Sequence, residues 1–184
     1  MAKPIYINNS ISKFNKKIYI DGDKSLSIRW AIMASQAIGK SRAHNLLRSE
    51  DVKSTMNCLK KLGVKIKWKN NYCEIVGNGL NNFVYKDNLM LNAGNSGTLA
   101  RLILPLLIKS PKKIKIIGDK SLSKRDMRRV IVPLQEFGAT FFPKKKKNLP
   151  IYIQGSNFIR PIKYTELKGS AQVKSCVMLA ALNA

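Results

Sequence analysis

Residues 22–29 read Gly22-Asp23-Lys24-Ser25-Leu26-Ser27-Ile28-Arg29, and residues 118–125 read Gly118-Asp119-Lys120-Ser121-Leu122-Ser123-Lys124-Arg125. A match at this separation is too widely spaced for a solenoid, whose units repeat every 20–50 residues or so. Two accounts remain: duplicated α/β units, or coincidence in a chain rich in Lys and Ser. Each copy follows a segment that reads as strand and precedes one that reads as helix.

The pattern along the chain favours duplication. Residues 18–20 form a short apolar run ended by Asp21, Gly22 and Asp23, and residues 27–38 carry apolar side chains at helical spacing until Gly39. A second helix is expected from Ser49, which can cap it, with Glu50 and Asp51 in the first turn and Gly63 past its end. Its buried stripe is Val52, Met56, Leu59 and Leu62. Residues 64–68 and 72–76 flank Asn70-Asn71 as a hairpin. The order then restarts: a strand at 89–91, a Gly-rich loop at 93–97, and an apolar helix at 98–108 kinked by Pro105. A strand at 113–117, a helix at 125–137 stopped by Gly138, and strands at 139–142 and 150–153 complete a β-α-β-α-β-β order. A third start covers 162–167 and Gly169, followed by a helix from Ser170 that runs to Ala184.

A chain of 184 residues suits one domain, and its 45% hydrophobic and 24% charged content is that of a globular protein with a substantial core. The net charge of +24 requires either an anionic partner or solvation. Lysines are scattered, and the one dense run, 144–147, lies between Pro143 and Asn148 as a solvated turn joining two strands. A nucleic-acid binder gathers its charge on one face or interleaves it with stacking aromatics, so no nucleic-acid partner is expected. No apolar run approaches the roughly 20 residues that span a bilayer, and the start carries no secretory pattern, so the expectation is a cytoplasmic protein without membrane contact. Cys58, Cys73 and Cys176 form no Cys-x-x-Cys pair and read as reduced, partly buried thiols; His44 reads as structural, and no metal site is expected. Gly39-Lys40-Ser41 lacks the upstream glycine of a phosphate loop, since Ala34 stands there, and it follows a helix instead of opening one. Gly77-Asn78-Gly79 lacks the third glycine of a dinucleotide fingerprint.

What remains is a set of helix entrances with small residues, hydroxyls and cations. Free N–H groups and the positive end of the helix dipole make such places anion sites. Lys24, Ser25 and Arg29 form one cluster; Gly94, Asn95, Ser96, Gly97 and Thr98 form another, in which Asn95 can donate. Arg125 and the entrance at Ser170, Ala171 and Gln172 complete the set, and the clusters converge if the units pack side by side.

In this order, residues 22–29, 45–52, 93–98 with Arg101, 118–122 with Arg125, and 170–175 resemble the amino-terminal part of the 5-enolpyruvylshikimate-3-phosphate synthases. The resemblance implies an α/β fold of repeated βαβαββ units, one lobe of a two-lobe inside-out α/β barrel, truncated in its third unit. It implies transfer of the enolpyruvyl group of phosphoenolpyruvate to the 5-hydroxyl of shikimate 3-phosphate, with release of phosphate and no metal or organic cofactor. By position, Lys24 would touch both substrates and act in catalysis; Ser25 and Arg29 would hold shikimate 3-phosphate; Gly97 and Arg125 would hold phosphoenolpyruvate. Ser170, Ala171 and Gln172 would line the shikimate phosphate site, with Gln172 also reaching phosphoenolpyruvate.

Two residues depart from the family pattern. Asp126 stands where proline is frequent, so its carboxylate can pair with Arg125 or Arg128; Ala171 replaces the second serine of some members. Length is the larger departure. Residues 1–20 would belong to a second lobe, residues 21–184 to an incomplete first lobe, and the acidic proton-transfer residue to the missing lobe. The fragment alone is expected not to turn over. Rival readings are a basic nucleic-acid-binding module, a non-catalytic ligand-binding remnant, and the related transferase acting on UDP-N-acetylglucosamine, whose loop cysteine has no counterpart in residues 120–125.

Overall fold

The computed structural model describes residues 6, 8, 13, 15, 17–167 and 169–184. Helix α1, Lys24–Gln36, buries Ile28, Ala31 and Ile32 and is followed directly by strand β1, Ile38–His44. Helix α2, Glu50–Lys61, leads into strands β2, Lys65–Trp68, and β3, Tyr72–Asn78. The second unit runs β4, Met90–Asn92; α3, Gly97–Leu102; β5, Ile114–Ile117; α4, Arg128–Phe137; β6, Thr140–Phe142; and β7, Ile151–Gln154. Helix α5, Ala171–Asn183, ends the chain.

The two sheets share a plan. The second has the order β4-β5-β7-β6, with β4 parallel to β5 and the other pairs antiparallel. The first has the order β1-β3-β2, all antiparallel, which among the described residues is the same arrangement without a strand corresponding to β4. The expected strand at 18–20 does not form: Ile18, Tyr19 and Ile20 are 68%, 86% and 76% exposed and lie in no sheet. The remainder of the 1–20 expectation falls mostly outside the described residues.

Several boundaries differ from expectation, each for a local reason. Gly39 does not stop a helix: with φ at 90° it lies inside β1, a strand of mostly polar and exposed residues whose pairing with β3 no apolar alternation announces. Ser49 begins α2, but its hydroxyl makes no capping bond and is a buried oxygen without a partner among the described residues. Pro105 ends α3 early, and the apolar segment continues as a 3-10 turn, Leu104–Leu107. The helix expected from residue 125 starts at Arg128, and no strand forms over 162–167.

Elsewhere the apolar pattern holds. Val52, Met56, Leu59 and Leu62 are all at most 2% exposed, and Gly63, at φ 84°, lets the backbone turn back so that the Val64 N–H donates to the Leu59 carbonyl at 3.1 Å. Residues 143–150 join β6 to β7, so the lysine run is a turn as expected. The three thiols are free and buried; burial raises Cys58 and Cys73 to about 11 and Cys176 to about 12. His44 is exposed with its Nδ1 3.0 Å from the Asn71 carbonyl, a hairpin contact that fits the structural reading.

Candidate functional site

Helices α1, α3 and α5 form the inner layer. Arg29 of α1, Leu102 of α3 and Ser175 of α5 border one groove, and the Asn183 amide at the end of α5 donates to the Gln36 side-chain oxygen at the end of α1. Near the start of α5, the Gln172 amide donates to the Thr98 hydroxyl at 3.0 Å. Contacts therefore advance in step along all three helices, which run parallel and begin at one end of the layer. Their caps are Asp23, Ser96 and Ser170, each accepting from the backbone N–H three residues on. Sequence-identified residues Lys24, Ser25, Gly97, Ser170, Ala171 and Gln172 all fall at these starts.

The second octapeptide closes over the α3 entrance. The Asp119 N–H donates to the Gly94 carbonyl at 2.8 Å, and the Asn95 amide donates to the Asp119 carboxylate at 2.6 Å. The Leu122 N–H, first, and Asn95, second, hold the Asp119 carboxyl below its ordinary range. Asn95 is thus engaged in joining two loops. A β-carbon on Gly97 would lie 2.8 Å from Arg101 Nη1 and 3.1 Å from Arg125 Nη1, so a larger residue here would push aside the ends of two arginine side chains. Gly97, Arg125 and, through Arg101, Gln172 meet at this point.

Arg101 is the residue that the sequence reading named in a motif without giving it a role. It is 4% exposed; its Nη1 donates to the Gly97 carbonyl at 3.0 Å and to Gln172 Oε1 at 3.1 Å, and its Nη2 to the Asp126 carbonyl at 3.4 Å. Among the described residues no carboxylate lies within ion-pair distance, and Nε has no partner. Burial, then Arg129 and Arg125, lower its pKa. The available signal was a lone charge within the otherwise apolar run 99–108.

Asp126 resolves one open alternative. Its carboxylate accepts from the Arg128 backbone N–H and Nε, each at 2.7 Å, and also from Arg128 Nη2. Arg125 therefore keeps no carboxylate partner among the described residues and is exposed.

The first octapeptide is built differently around its charges. Lys24 Nζ lies 3.2 Å from the Asp51 carboxylate with its side chain half-exposed, and Arg29 Nη1 reaches back to the Ser25 carbonyl at 3.4 Å. Arg29 also lines the groove of about 320 Å³ between α1 and α5, beside apolar Ile32, Met33 and Leu179. No hydrogen bond or ion pair among the described residues links Lys24 directly to Arg125 or Gln172; what they share is the common end of the three helices. Among the described residues no group of His, Cys, Asp and Glu can hold a metal ion, and no helix is long and apolar enough to cross a membrane.

Comparison with known proteins matches the geometry. Residues 8–184 fit the family model for EPSP synthase (3-phosphoshikimate 1-carboxyvinyltransferase). The chain is 42% identical over 168 residues to 3-phosphoshikimate 1-carboxyvinyltransferases of Streptococcus pyogenes serotypes M4 and M49, an alignment covering 91% of this chain and 39% of each relative. It superposes on a solved EPSP synthase from Acinetobacter baumannii with a TM-score of 0.85 and 34% identity, covering 92% of this chain and 38% of that one. The sequence thus spans about two fifths of the length of the curated relatives it matches. With its second unit complete and its first, among the described residues, one strand shorter, the chain belongs to the EPSP synthase family.

Proposed function

We propose that this chain is the substrate-gathering part of an enolpyruvyl transferase, which moves the enolpyruvyl group of phosphoenolpyruvate to the 5-hydroxyl of shikimate 3-phosphate and releases phosphate. The observation that carries the reading is the meeting of Gly97, Arg125 and Gln172 around a buried arginine that, among the described residues, makes no ion pair, at the end where α1 and α5 begin. Two helix dipoles and guanidinium groups that make no ion pair among the described residues make that end attractive to anions. Each proposed substrate carries a phosphate and a carboxylate, and their mutual repulsion must be offset by several fixed cations.

Roles follow from position. Ser25 in the first turn of α1 and Arg29 one turn on hold shikimate 3-phosphate, with Ser170, Ala171 and Gln172 around its phosphate. Gly97 admits phosphoenolpyruvate to the backbone, Arg125 binds it by its planar fork, and Lys24 leaves Asp51 to touch both substrates. The Lys24–Asp51 pair is half-exposed only on the lysine side, and surface pairs are worth at most about 1 kcal/mol, so exchanging it for substrate costs little. Addition puts a proton on the methylene carbon of phosphoenolpyruvate and takes one from the attacking hydroxyl, and elimination removes a proton from that carbon as phosphate leaves; holding both reactants at one helix end supplies the positional part of catalysis. In this reading residues 21–184 are an incomplete lobe, residues 1–20 belong to a second lobe that supplies the acidic proton-transfer group, and the reaction is cytoplasmic, needing neither metal nor organic cofactor.

Calorimetric titration with shikimate 3-phosphate, paired with a phosphate-release assay on both substrates, tests this. The expected result is saturable binding without turnover. Absence of binding, or robust turnover by this chain alone, contradicts it.

A further inference from the structure

Arg101 offers more than charge. A guanidinium has donors only, so the Gln172 atom facing it must be the amide oxygen, and the amide nitrogen is left to face Thr98, whose hydroxyl accepts at 3.0 Å. The two bonds agree on one orientation of the amide. Arg101 is itself held: it is 4% exposed, it reaches the Gly97 carbonyl at 3.0 Å, and Gly97 has no β-carbon to push it away. We propose that Arg101 is a positioning residue that locks the Gln172 amide with its oxygen turned inward, so that Gln172 meets a bound ligand as a hydrogen-bond donor.

The consequence concerns which ligand atoms are accepted. A Gln172 N–H pointing outward favours acceptor oxygens, those of a phosphate, a carboxylate or an ether, and gives no acceptor to a ligand hydroxyl. A freely rotating glutamine would accept either. Burial strengthens the lock, because a desolvated guanidinium whose Nε already lacks a partner gives up another bond only at considerable cost. The identity of the ligand rests on the function proposed above, whereas the orientation of the amide does not.

The test therefore has two arms on this chain. Without ligand, nuclear Overhauser contacts of the Gln172 side-chain NH2 report orientation: contacts to the Thr98 side chain are expected, and contacts to the Arg101 guanidinium protons instead would overturn the proposal. With shikimate 3-phosphate, calorimetry on Arg101→Lys, Gln172→Ala and the double variant measures coupling. Arg101→Lys is expected to weaken binding about tenfold alone but less than about twofold in the Gln172→Ala background. Additive losses would show that Arg101 acts independently of Gln172. If wild type does not bind, the functional reading fails while the first arm still decides the orientation.

Discussion

The two octapeptides start alike and end apart. In each, the aspartate carboxylate accepts from the leucine N–H three residues on at 2.7 Å, and the second serine's N–H donates to the aspartate carbonyl, at 3.0 Å in one and 2.9 Å in the other. After 22–27 come Ile28, Ala31 and Ile32, all fully buried, and the turn continues as the 13-residue α1. After 118–123 come Lys124, Arg125 and Asp126, which offer nothing to bury; the backbone leaves a 3-10 turn at Arg125 with ψ at 139°, and the Met127 N–H is taken by the Lys147 carbonyl at 2.7 Å. The same local code sets the cap, but the residues beyond it decide whether a helix follows. That divergence sends Arg29 along the side of α1 and Arg125 across to Gly97.

The largest way to break the comparison is at the first glycine. A β-carbon on Gly22 would sit 2.0 Å from the Asn45 carbonyl oxygen, whereas one on Gly118 would meet Leu122 Cδ2 at 2.7 Å. Backbone cannot yield as a leucine can. Gly22→Ala is expected to lower stability by about 3 kcal/mol or more and Gly118→Ala by about 1 kcal/mol, read by urea unfolding; equal losses would mean that the two turns are packed alike. Next in size, Arg29→Ala should weaken shikimate 3-phosphate binding about tenfold and Arg125→Ala less than about threefold, since the second arginine serves the other substrate in our reading. Identical losses by titration would show that the two copies do not divide the ligands.

Caps give a smaller effect with a pH signature. Asp23→Ala should cost about 1 kcal/mol. Asp119→Asn should also destabilise, and because Asp119 is held below its ordinary range when folded, its contribution is present above the unfolded aspartate value of about 3.9 and fades as pH falls through the lower folded value. The gap between wild type and Asp119→Asn is thus expected to narrow in acid unfolding curves below about pH 4; a gap that widened would contradict the assignment. The mildest test uses the thiols. With burial holding them at about 11 to about 12, Cys58, Cys73 and Cys176 should stay unreactive to a disulfide reagent at pH 8 until denaturant is added.

Much of this is legible in the sequence, and what is not depends on pairing and packing that apolar periodicity does not report. The α2 stripe, the 64–76 hairpin and the β6–β7 pair follow from apolar period and turn residues. Strand β1 is not announced by its sequence because six of its seven residues, all but Ile38, are not large apolar ones, and an edge strand needs none. The late start of α4 came from Asp126 capping Arg128 locally instead of pairing at a distance. At the site, the residue types at each helix entrance were readable singly, but that Arg101 would be the buried centre joining Gly97 to Gln172 depends on the parallel packing of α3 and α5, which no local spacing encodes.

The central claim is that separate helix entrances form one site for two anions. Amide shift mapping in an 15N-labelled chain titrated with shikimate 3-phosphate and phosphoenolpyruvate together tests it most directly. The account predicts saturable shifts grouped at residues 24–29, 97–101 and 170–173, with the lysine turn at 144–147 unmoved. Shifts confined to that turn, or to a single helix start, would contradict it.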